Sequence, residues 1–104
     1  MDRLAKLAEM LVQNPADSFL RHAMALEHIK AGRDGTAREL FEAILAHDPG
    51  YTGSYYHLGK LLERRSDAAS AAAWYEKGIE AARAAGDAHC LAELQAALDD
   101  LNSW

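Results

Sequence analysis

Apolar residues recur at intervals of three and four along the whole chain, and no stretch alternates with period two. That spacing draws one apolar stripe down each of a series of helices and predicts an all-α fold. Leu4, Leu7, Met10 and Leu11 stripe a first helix over residues 2–13. Asn14-Pro15 stops it, because proline disfavours helix at the residue before it. Asp17 opens a second helix as an acceptor for the free amides of the first turn, and Gly32 marks its end. The third runs from Asp34 to Asp48-Pro49, and a turn over 50–52 leads into a fourth that reaches about Arg65. After Ser66-Asp67, residues 68–85 form one long helix. Gly86 closes it, and Asp87 caps a last helix over 88–102 striped by Leu91, Leu94, Leu98 and Leu101.

The pattern also repeats itself. A shift of 34 residues lays Pro15 on Pro49, Met24 on Leu58, Ala25 on Gly59, Ala37 on Ala71, Phe41 on Tyr75 and Leu45 on Ile79. A fixed period of this size marks a stacked array, in which one unit cannot bury its apolar face alone. The last helix leaves the register: a shift of 36 brings Leu91, Leu94 and Leu98 onto Tyr55, Leu58 and Leu62, and puts Gln95 where Gly59 stands.

The second unit reads Tyr55-x2-Leu58-Gly59-x2-Leu62, then Ala71-x3-Tyr75; the first reads Arg21-x2-Met24-Ala25-x2-His28, then Ala37-x3-Phe41, ending at Pro49. These residues resemble the tetratricopeptide repeat, in the form of a small bacterial-type domain. The resemblance implies a right-handed superhelix of helical hairpins. It divides the chain into a half-repeat helix at 2–15, repeats at 17–49 and 52–85, and a capping helix at 88–102. The small residues Ala25, Gly59, Ala37 and Ala71 then sit where the helices of a hairpin cross closely, and Phe41 and Tyr75 fill the gap toward the next unit.

The resemblance further implies a concave groove lined by the first helix of each hairpin, which receives a peptide or a helix of another protein. Its register positions are Phe19, His22, Ala23, Leu26, Ile29 and Lys30 on the second helix. On the fourth they are Gly53, Tyr56, His57, Lys60, Glu63 and Arg64, with His89, Ala92, Glu93 and Ala96 added from the last. Aromatic and basic groups side by side suit an extended acidic segment or a C-terminal carboxylate. The same ridge of Tyr56, Lys60 and Arg64 also fits an ordinary solvated helix face, and Phe19, Leu26 and Ile29 fit a hairpin core in a register one residue away. Leu26 and Lys60 stand where the family's dicarboxylate clamp has asparagines, so that ligand is not expected.

Composition narrows the function further. The 104 residues allow one domain, and a net charge of −5 with pI near 5.4 argues against nucleic acid, which needs a basic surface. Charges at Asp2, Arg3 and Lys6 interrupt what a signal peptide would keep apolar, and no run approaches the length of a membrane span. Cys90 is the sole cysteine, which excludes an internal disulfide and fits a reducing, cytoplasmic setting. At a helix start it has a route to a lowered pKa, but no histidine and acid stand in spacing to make it a nucleophile, so a small half-buried thiol is expected. The five histidines include no pair at four-residue helical spacing for zinc. His28 is expected in the hairpin interface and Trp74 in the core or at its rim; Trp104 either frays or folds back on the last helix. No enzyme activity, cofactor or metal is expected. The principal expectation is a protein-interaction module. The alternative is a scaffold that associates with itself, burying Ala5, Ala8 and Val12 of the first helix against another copy in a homodimer or larger assembly.

Overall fold

The computed structural model describes residues 2–103; the expectation for Trp104 lies outside them. Six helices follow one another: α1 Arg3–Gln13, α2 Ser18–Lys30, α3 Asp34–His47, α4 Gly53–Arg64, α5 Ala68–Ala85 and α6 Ala88–Asn102. No strand occurs among the described residues.

The punctuation read from the sequence works through identifiable hydrogen bonds. The carboxylates of Asp2, Asp17, Asp67 and Asp87 accept from the amides of Ala5, Leu20, Ser70 and Cys90 at 2.8–3.1 Å, each satisfying a donor that the first turn leaves open. Helices α2, α4 and α5 end alike. Gly32, Ser66 and Gly86 take left-handed backbone with φ of 79°, 61° and 67°. The next amide, of Arg33, Asp67 or Asp87, reaches back to the carbonyl of His28, Leu62 or Ala82 at 2.8–2.9 Å. Ser66 stands 34 residues after Gly32 and carries a side chain into the same turn.

The chain forms two compact units, one ending at Asp48 and the other beginning at Pro49. In the first, α1 packs on α2 through Leu7, Leu20 and Ala23, with Leu11 and Met24 at the edge. Helices α2 and α3 pack against each other, and Ala25 and Ala37, the small residues expected at their crossing, are both wholly buried. Phe41 and Ile44 are fully buried beside them, each contributing on the order of 1.5–3 kcal/mol by leaving water. His28 is half-buried at the end of α2 and accepts from Arg33 Nε at 2.9 Å.

In the second unit α4, α5 and α6 pack in succession. Sequence spacing places Gly59 and Ala71 at a close crossing; both are buried, and the ring of Tyr75 lies nearest to where a side chain on Gly59 would begin. A second close approach falls at Gly78, where an added Cβ would lie 2.6 Å from Tyr55 Cβ and 2.9 Å from Leu94 Cδ1. Tyr55 donates its hydroxyl to the Pro49 carbonyl at 2.6 Å. Its ring lies 6.2 Å from Trp74, which is half-buried at the rim of the core with Lys77 Nζ 4.5 Å from its ring centroid. Gln95 is exposed. The first turns of α4 and α6 are tied together by Thr52, whose hydroxyl donates to Asp87 Oδ2 at 2.9 Å.

Candidate functional site

Helix α4 is amphipathic: Tyr55, Leu58, Leu61 and Leu62 face the core, which leaves Tyr56, Lys60 and Arg64 along an outer edge at four-residue spacing. Tyr56, His57 and Lys60 are half-buried and Arg64 is exposed. The His57 ring meets Tyr56 edge-on at 5.6 Å, and Lys60 Nζ lies 5.6 Å from the Tyr56 ring centroid, within cation–π range. Lys60 also stands 3.6 Å from Glu63 Oε2, the same oxygen to which Tyr75 donates its hydroxyl. Glu63 therefore holds a cation of the surface and a hydroxyl of the core at once. Burial and this carboxylate push the Tyr75 phenol well above its ordinary range.

Burial lowers the pKa of His57 from the usual histidine value, while the charge of Glu93 on α6 acts in the opposite direction. The structure thus brings Tyr56, His57 and Lys60 together and sets two carboxylates, Glu63 and Glu93, beside them. The face is more nearly balanced in charge than the positions Lys60 and Arg64 alone imply.

The other candidates lie on α2, in the first unit. Phe19 is 64% exposed; His22 is half-buried with its ring 5.5 Å from Phe41, and Leu26 is half-buried. Ala23 departs from its expected place on an open face. It is buried with Leu7 and Leu20, because α1 covers that side of α2.

Cys90 is half-buried, and burial raises its thiol pKa, with the Asp87 carboxylate adding to the rise. The Thr52 hydroxyl lies 3.4 Å from its sulfur and acts in the opposite direction. A thiol held protonated is a poor nucleophile. Among the described residues no three of His, Cys, Asp and Glu converge as a metal site, and no helix is long and apolar enough to cross a membrane.

No family model and no curated protein matches the chain, but solved structures do. The crystal structure of a tetratricopeptide repeat domain protein from Salinibacter ruber matches at 45% identity and a TM-score of 0.78, over 82% of this chain and 94% of that one. A solution structure of a tetratricopeptide repeat domain protein from the same organism gives 44% identity and 0.82, over 85% and 89%. A solution structure of a Bordetella parapertussis protein gives 30% identity and 0.82, over 97% and 88%. Six helices with a 34-residue echo, small residues at the helix crossings, and identity of this degree across nearly the whole of a solved relative lead to one conclusion: the chain belongs to the tetratricopeptide repeat family.

Proposed function

We propose that the outer edge of α4, formed by Tyr56, His57, Lys60 and Arg64, receives a peptide or helix of a partner protein, in a fold whose relatives point to an interaction or scaffold module. The observation that carries this reading is the pairing of Lys60 with Tyr56, a half-buried aromatic ring with a cation near its face and a second cation one turn on. Aromatic anchors flanked by cations are the groups that concentrate binding energy in small interfaces. The partner segment is acidic, its carboxylates taking Lys60 and Arg64 while an apolar group rests on Tyr56. By register, Phe19, His22 and Leu26 on α2 belong to the same binding function. The cytoplasm is the compartment this reading assigns, and no catalytic step is part of it.

The test is capture of the partner from native lysate by the wild type and by a Lys60→Glu, Arg64→Glu double variant, with Glu39→Lys on α3 as the control. Arg64 is exposed but Lys60 is half-buried beside Glu63, so circular dichroism must first show that all three proteins fold alike. Loss of capture in the double variant alone supports the reading, and equal capture by all three overturns it.

Self-association is the second reading. It is favoured by the apolar side chains of α1 that face outward, Val12 at 78% and Met10 at 50% exposure, beside exposed Ala5 and Ala8.

A further inference from the structure

The internal repeat identifies which helix faces are uncovered relative to their own counterparts. Met10 stands 34 residues before Ile44 and 68 before Gly78. Ile44 is wholly buried and Gly78 is pressed against Tyr55 and Leu94, yet Met10 is half exposed. Helix α1 thus has the register of the second helix of a hairpin, and among the described residues the helix packed on it is α2. Val12 is different: its counterparts Ala46 and Glu80 are exposed too.

Helix α6 has the reciprocal deficit. Leu91, Gln95 and Leu98 stand 36 residues after Tyr55, Gly59 and Leu62, which are all buried on α4. On α6 the two leucines are half-buried and the glutamine is exposed. Beside them runs a groove of about 530 Å³ floored by Ile79 and Leu98 and rimmed by Glu76, Glu80 and Asp99. One guanidinium, Arg83, stands on that rim at 3.6 Å from Glu80, so the groove remains acidic. Among the charges at the start of α1, where Asp2 and Glu9 are also exposed, Arg3 and Lys6 offer the opposite sign, Arg3 lying 3.6 Å from Glu27 of its own unit.

The α4–α5 hairpin shows how two such faces meet. There Tyr75 reaches Glu63. The register carries Tyr75 to Leu7 and Glu63 to Asp99, so an α1 laid on α6 in this way brings Arg3 and Lys6 to the acidic end of the groove. We propose that α1 of one copy docks in the α5–α6 groove of a second copy, completing the hairpin that α6 begins. The inference rests on the self-association reading and specifies its geometry. The two surfaces differ, so the contact is head-to-tail, and the rotation it imposes decides whether successive copies close into a ring or extend as a series.

Sedimentation equilibrium of the intact chain over a wide concentration range tests this. The wild type should gain mass above that of the monomer as concentration rises, and raised salt should weaken the association. Met10→Glu and Leu98→Glu should each be monomeric alone, with association weakened at least tenfold. Mixed in equal amounts they should give a dimer and nothing larger, since each retains one sound surface. Asp99→Lys, a change at an exposed position, substitutes for Leu98→Glu should circular dichroism show the latter misfolded. A Leu98→Glu or Asp99→Lys protein that assembles like wild type overturns the head-to-tail contact while leaving self-association standing. A wild type that is monomeric throughout overturns both.

Discussion

The ring of Tyr75 occupies the place where a side chain on residue 59 would begin: a Cβ there would sit 2.6 Å from the tyrosine Cζ. Tyr75 is itself wholly buried and its hydroxyl is engaged by Glu63, so the ring has nowhere to retreat. Alanine at position 59 gains about 1 kcal/mol in helix propensity over glycine, but overpacking of a filled core costs about 1–3 kcal/mol. Gly59→Ala is therefore expected to be destabilising on balance, and Gly59→Leu severely so. Thermal unfolding checks both, and Tyr75→Leu should recover part of the loss by opening the space. An unchanged midpoint in Gly59→Leu would contradict the packing described.

Gly78 is the sterner case. The nearest neighbour of its added Cβ is Tyr55 Cβ, an atom fixed by the backbone of α4, and Leu94 closes the other side. Gly78→Ala should cost about 1–3 kcal/mol, read as a lower midpoint in urea with the slope unchanged.

Ser66 predicts a change in the stabilising direction. Its φ of 61° is costly for any residue with a Cβ, and Gly32 meets the same turn without that cost. The side chain is exposed, so replacing it removes no core contact. Ser66→Gly should raise stability by about 0.5–1 kcal/mol, and Gly32→Ser should lower it by a similar amount. Denaturant midpoints falling in the reverse order would rule this out.

Acid should loosen the fold through its half-buried histidines. In the unfolded chain His57 takes up a proton as pH falls through about 6.5. Folded, burial delays that step to lower pH despite the pull of Glu93. His28 is delayed likewise, by burial and then by the charge of Arg33. Over this window the unfolded state binds more protons, so stability declines as pH drops below about 6.5 and levels off once the folded imidazoles are protonated. Urea midpoints between neutral and mildly acidic pH should show that slope, and His57→Gln should flatten it.

Much of the architecture was legible because proline, glycine and aspartate punctuate the chain at most places where a helix begins or ends. The echo of Ala25 and Ala37 in Gly59 and Ala71 made the hairpins visible for the same reason, since two helices crossing closely accept only small residues. Gly78 escaped because its counterpart is Ile44, so comparing the repeats shows no shared small residue there. The candidate site was legible as a set of positions and not as a set of charges. Nothing in the spacing shows that Lys60 shares Glu63 with a buried tyrosine, or that α1 covers Ala23 while the equivalent His57 stays partly open. Those outcomes depend on which side chains meet across helices, information that a helical period does not carry.

Thr52 spans 35 residues of sequence to hold Asp87, and the same hydroxyl lies 3.4 Å from the sulfur of Cys90. The start of the last helix is thus tied to the start of α4 through this hydroxyl, with a titratable thiol beside the tie. The thiol is half-buried, so labelling by a small electrophile proceeds in part from the folded state, and a rise in rate on Thr52→Val is what reports local fraying of α6 as distinct from unfolding of the whole chain. Cys90 thus serves as a native reporter on the attachment of the last helix, with no added probe residue.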